Sequence, residues 1–149
     1  MTRRAGWVAV TASLVLAIGL TGAAFAKPLS KPDYIEAADN ICRQSQILID
    51  EAGQGAFGTL GPDELPTADQ QEAFSAEIEP TIAQELSSLR ELPAPKADAK
   101  KLKKMFKLVE KGYGQIVADP LILFGSDPPP ALVKASKQAA AYGFEVCGA

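Results

Sequence analysis

The chain has 149 residues, with 15 lysines and arginines against 18 aspartates and glutamates and no histidine. That length suits one core, a 47% apolar share excludes global disorder, and the acidic balance excludes nucleic-acid binding by bulk charge. Without imidazole, the Ser-His-Asp and Cys-His nucleophile pairs and the commonest nitrogen metal ligand are excluded as well.

Residues 1–26 read as a cleavable signal peptide. Arg3 and Arg4 supply the positive start, and an uncharged apolar run ends at Leu20. Ala24-Phe25-Ala26 then makes a small-x-small cleavage site, predicting cleavage after Ala26. Val8 to Leu20 spans about 13 residues, short of the roughly 20 that cross a bilayer as a stable helix. A retained N-terminal membrane anchor is the alternative. Gly6 after the arginine pair favours general secretion over twin-arginine export. The mature chain, residues 27–149, is expected to be a single helical-bundle domain with no membrane span. It keeps 13 basic and 18 acidic side chains, a net charge of −5.

Cys42 and Cys147 both fall in this exported part, where an even count favours one disulfide over two free thiols. The bond is read as a staple because the chain has no C-x-x-C.

Four helices are predicted, at about 32–52, 68–91, 96–118 and 130–146. The first has Ser30 to cap it and an apolar stripe through Tyr34, Ala38, Cys42, Ser45 and Ile49, with Gly53 as its stop. Residues 53–66, rich in glycine and proline, read as a loop. A Thr67-x-x-Gln70 capping box opens the second helix, whose buried side is Phe74, Ile78, Ile82, Leu86 and Leu89. Pro80 inside that run predicts a kink, or a break near Glu77. The third helix buries Leu102, Met105, Phe106, Val109, Tyr113 and Ile116. Its opposite face gathers Lys96, Lys100, Lys103, Lys104, Lys107 and Lys111. The apolar run Leu121-Ile122-Leu123-Phe124 caps the core or, if exposed, offers a contact patch. In the fourth helix, Val133/Ala140/Cys147 and Leu132/Ser136/Ala139/Gly143 form two ridges of mostly small residues. No strand pattern or repeat is present, so the fold class is all-α, an up-and-down four-helix bundle with the first and last helices adjacent through the disulfide.

Tyr34-Ile-x-x-Ala37-x-x-x-Ile41-Cys42, Leu86-x-x-Leu89-x-x-Leu92-Pro93-x-Pro95 and Tyr142-Gly143-x-x-x-Cys147-Gly148 resemble small exported two-cysteine proteins of high-GC Gram-positive bacteria whose function is unknown. The resemblance implies the same disulfide-tied bundle and carries no catalytic residue. Such proteins are often lipoproteins, whereas this chain has no cysteine at its cleavage site.

Gly53-x-Gly55-x-x-Gly58 matches a dinucleotide fingerprint literally, but it follows a helix and no strand precedes it. Asp33, Glu36, Asp39, Glu72, Glu77, Glu79 and Glu85 are assigned to polar helix faces, since carboxylate metal sites in bundles normally add a histidine. No cofactor, metal or catalytic residue is expected, and the protein is read as a monomeric non-enzyme. The lysine face is the leading functional candidate, with anionic envelope polymer or lipid headgroups as partner. The plainer reading is a solvated face paired with acids of helices one and two. A bundle whose interior carries a small apolar ligand is the second functional reading. A cavity of roughly several hundred Å³ lined by Phe74, Phe106, Tyr113 and Phe144 would mark it.

Overall fold

A computed structural model describes residues 27–61, 63–125 and 127–148. The signal-peptide expectation, with cleavage after Ala26, lies outside the described residues. Four helices make the bundle: α1 (Lys31–Phe57), α2 (Ala68–Glu91), α3 (Ala99–Ala118) and α4 (Pro130–Tyr142), with a short 3-10 helix at Pro120–Phe124. The described residues contain no strand. No described helix is long and apolar enough to cross a membrane.

Both predicted N-caps form. The Asp33 N–H donates to Ser30 Oγ at 3.3 Å. At the start of α2 the exchange is reciprocal: the Gln70 N–H donates to Thr67 Oγ1 and the Thr67 N–H to Gln70 Oε1. Other boundaries shift for tertiary reasons. α1 runs through Gly53 and Gly55, where a loop was expected, although each glycine costs a helix interior about 1 kcal/mol. Phe57 offsets that cost by joining Phe74 and Phe124 in a three-ring cluster, with centroids 5.0–6.0 Å apart. α2 stays one helix across Pro80 and does not break near Glu77. Its apolar stripe is continuous on both sides of the proline, from Ile78 to Leu89, and burial holds it in line.

α1 packs on α2, and α3 on α4. The α3–α4 contact is close because Gly112 of α3 has no side chain: a Cβ there would collide with Leu132 of α4. α4 meets it with a stripe of small buried residues, Ala131, Ala135 and Ala139. The ridge expected at Val133 and Ala140 instead faces outward.

The largest departure is at the C-terminus. α4 stops at Tyr142, and Gly143, with φ +113°, turns the chain back. Residues 144–148 then run along the bundle between α1 and α4, whose backbones stay apart and which meet through side chains, Lys31 and Tyr34 of α1 against the Tyr142 ring of α4. Cys147 therefore sits in this tail and not on a helix. The Cys42–Cys147 disulfide forms, with Cα atoms 5.4 Å apart and a sequence separation of 105. Closing so long a loop contributes about 4–5 kcal/mol on the chain-entropy account. Ser136 Oγ donates to the Gly148 carbonyl at 2.9 Å, and the Gly148 Cα lies so near Ala140 that a side chain there would strike its backbone.

Candidate functional site

The lysine face is real in outline and shorter than expected. Lys96 lies in the turn that precedes α3, because Pro95 starts that turn: its carbonyl accepts the N–H groups of Asp98 and Ala99. Lys100, Lys103, Lys104, Lys107 and Lys111 are on the helix and exposed, within roughly 100° of arc at the helical rotation of 100° per residue. Among the described residues none of the five lies within ion-pairing distance of a carboxylate. Glu110, the acid bordering the face, pairs with Arg90 of α2.

Lys101 points elsewhere. Its ammonium sits 5.1 Å from the Tyr142 ring centroid, and Lys31 approaches the same ring at 4.4 Å. The Tyr142 hydroxyl donates to Asp98 Oδ2 at 2.8 Å, so that carboxylate makes no cap to α3. Burial, then the Asp98 carboxylate, pushes the Tyr142 hydroxyl pKa up. Tyr34 and Phe144 complete an aromatic cluster at this end of the bundle.

Of the carboxylates assigned to polar faces, Asp39 is inside and Glu85 is half-buried. Asp39 is 6% exposed and accepts the backbone N–H groups of Glu145, Val146 and Cys147 at 2.9–3.0 Å. It stands one turn before Cys42, on the ridge that receives the tail. Glu85 stands on the stripe of Ile78, Ile82 and Leu89, at helical spacing, and turns toward the bundle interior. Burial pushes the Glu85 carboxyl pKa up, and a hydrogen bond from Ser45 opposes it. Glu85 Oε1 lies 3.7 Å from Cys42 Sγ, a sulfur that is bonded to Cys147 and has no proton to donate.

Glu85 lines a cavity of about 210 Å³ between α2, α3, α4 and the disulfide. Phe106, Tyr113 and Phe144 line it as expected, whereas Phe74 belongs to the distant cluster with Phe57 and Phe124. Burial and the neighbouring Glu85 charge push the Tyr113 hydroxyl up to about 12, so it is protonated at every physiological pH. Residues 121–124 do both things considered for them. Phe124 packs into the aromatic cluster, while Leu121 is 47% exposed. Val117 and Leu65 are exposed at the same end of the bundle.

Gly53 and Gly55 lie inside α1, so the fingerprint spacing forms no phosphate-cradling loop. No cluster of three or more metal-ligating side chains occurs among the described residues. Compared with known protein families, curated proteins and solved structures, the chain matches none.

Proposed function

We propose that this protein is an exported, non-enzymatic binding module that holds to phosphate-bearing components of the cell envelope through the lysine face of α3. The observation that carries this reading is the row Lys100, Lys103, Lys104, Lys107 and Lys111, exposed on one side of a rigid helix with no carboxylate partner among the described residues. A solvated face would more commonly neutralise such a row locally, as Arg90 does for Glu110. Aligned ammonium groups about 5 Å apart along the axis suit repeating phosphates better than a single anion. Export rests on the pattern of residues 1–26 and agrees with a disulfide, which persists in oxidising compartments. The absence of histidine supports the non-enzymatic part.

Sedimentation of the secreted protein with phosphatidylglycerol vesicles, phosphatidylcholine vesicles and wall polymer tests the proposal. Binding should require an anionic surface and fade as salt shortens the Debye length from about 10 Å at 0.1 M to about 3 Å at 1 M. Replacing Lys100, Lys104, Lys107 and Lys111 by Gln should abolish it with little change in thermal midpoint, since exposed charges contribute little to folding. Equal sedimentation of parent and variant would leave the lysines as solvated surface.

A further inference from the structure

The cavity beside the disulfide has an unusual balance of chemistry. Its wall is hydrocarbon and aromatic: Leu86 and Leu89 from α2, Met105, Phe106 and Val109 from α3, and Leu132 from α4. Glu85 is its one carboxylate, and neither lysine nor arginine lines it. A carboxylate in such surroundings is costly to ionise without a counter-charge, and among the described residues no cation lines the cavity to supply one. A ligand with an ammonium group and an apolar body would do so. The rings of Phe106, Tyr113 and Phe144 around the same space also favour a cation over an anion. Size narrows the choice further. A cavity of about 150 Å³ accepts benzene, so 210 Å³ admits a ligand of roughly eight or nine heavy atoms.

We infer that this cavity binds a small primary amine carrying a single ring, with the ammonium against Glu85 and the ring among Leu86, Met105, Phe106 and Val109. The inference is independent of the lysine face, since no lysine touches the cavity.

The secreted, disulfide-bonded protein can be titrated with 2-phenylethylamine and, separately, with its neutral counterpart 2-phenylethanol, followed by amide chemical shifts. Saturable shifts should centre on Glu85, Met105, Phe106, Val109 and Leu132, and the amine should bind at least about tenfold more tightly than the alcohol. Glu85→Gln should bring the amine down to the affinity of the alcohol, while Glu77→Gln, which removes an exposed carboxylate of the same helix, should change nothing. Val109→Phe, which fills the space, should abolish both titrations with the disulfide intact. Equal affinity for amine and alcohol would overturn the inference. So would an equal effect of the Glu77 and Glu85 changes, the absence of saturable shifts at millimolar ligand, or shifts spread over exposed carboxylates. The quadruple lysine variant should bind the amine normally, so loss of envelope binding and loss of amine binding are separable.

Discussion

Cys147 is held in place from α1 twice over, first by Asp39. Its Oδ1 accepts the Cys147 N–H at 3.0 Å, while one turn further along α1 Cys42 carries the disulfide to the same residue. With the Glu145 and Val146 N–H groups also on this carboxylate, one buried side chain satisfies three consecutive donors of a tail that has no helix to satisfy them. The covalent bond limits how far the tail strays in the unfolded chain, and the carboxylate decides where it lies in the folded one.

Asp39→Asn should therefore be costly despite its small change in shape. One oxygen is exchanged for an NH₂ that faces backbone donors, leaving at least one tail N–H without its acceptor. The expected loss is about 2–3 kcal/mol in chemical denaturation, with the disulfide still formed by thiol counting. A midpoint equal to the parent's would show that water replaces the carboxylate.

Tyr34 is wholly buried, and its hydroxyl is the one buried side-chain polar atom among the described residues without a hydrogen-bond partner. Burial pushes that hydroxyl up to about 12. Tyr34→Phe keeps the ring contacts with Tyr142 and Phe144 and removes the unpaired group, so it should stabilise the protein by about 1 kcal/mol. Thermal denaturation reads this directly; a loss of more than about 1 kcal/mol would reveal a partner for the hydroxyl in solution.

Most of the helical framework was legible because it depends on local chemistry and periodicity. Ser30, Thr67 and Gln70 cap as their types require, and the apolar spacing of α3 turns Leu102, Met105 and Ile116 inward. What escaped depends on contacts distant in sequence. Gly53 stops a helix unless something beyond it rewards continuation, and Phe57 meets Phe124 across 67 residues. Asp39 and Glu85 were assigned outward because carboxylates usually are, although each stands on the apolar spacing of its own helix: Asp39 three residues before Cys42, and Glu85 four before Leu89. A charged residue in register with a core stripe was the available signal. The acceptor role of Asp39 required knowing that the tail doubles back at Gly143, and the mixed character of α4 hid that.

Two glycines of α3 separate packing from propensity. At Gly112 a Cβ would strike Leu132, whereas at Gly114 it would meet nothing within 4 Å. Gly112→Ala should destabilise by about 1–3 kcal/mol through overpacking, and Gly114→Ala should stabilise by up to about 1 kcal/mol through helix propensity. Adding Leu132→Ala to Gly112→Ala should make the pair less damaging than the sum of the two changes, a coupling measurable by a double-mutant cycle. Strict additivity would mean that α4 shifts away without cost.

Glu85 predicts a pH dependence whose direction follows from its surroundings. Ser45 of α1 donates to it and the Tyr113 hydroxyl of α3 faces it, protonated up to about pH 12. Burial outweighs these polar neighbours, so the folded protein holds the Glu85 proton more tightly than the unfolded chain, where the ordinary value is 4.5. Below that value both states are protonated and the residue costs nothing. As pH rises from 4.5 toward the raised folded value, the unfolded chain binds fewer protons than the folded one, and stability falls until the folded carboxyl has also ionised. Glu85→Gln keeps the shape and cannot ionise. Its urea midpoint should match the parent's near pH 4, and it should exceed the parent's by a margin that grows as pH rises above 4.5 and levels off once the folded carboxyl has ionised. The other carboxylates shift both curves together, so the difference between them isolates Glu85. A margin that is constant across the range would mean that Glu85 is solvated in the folded protein.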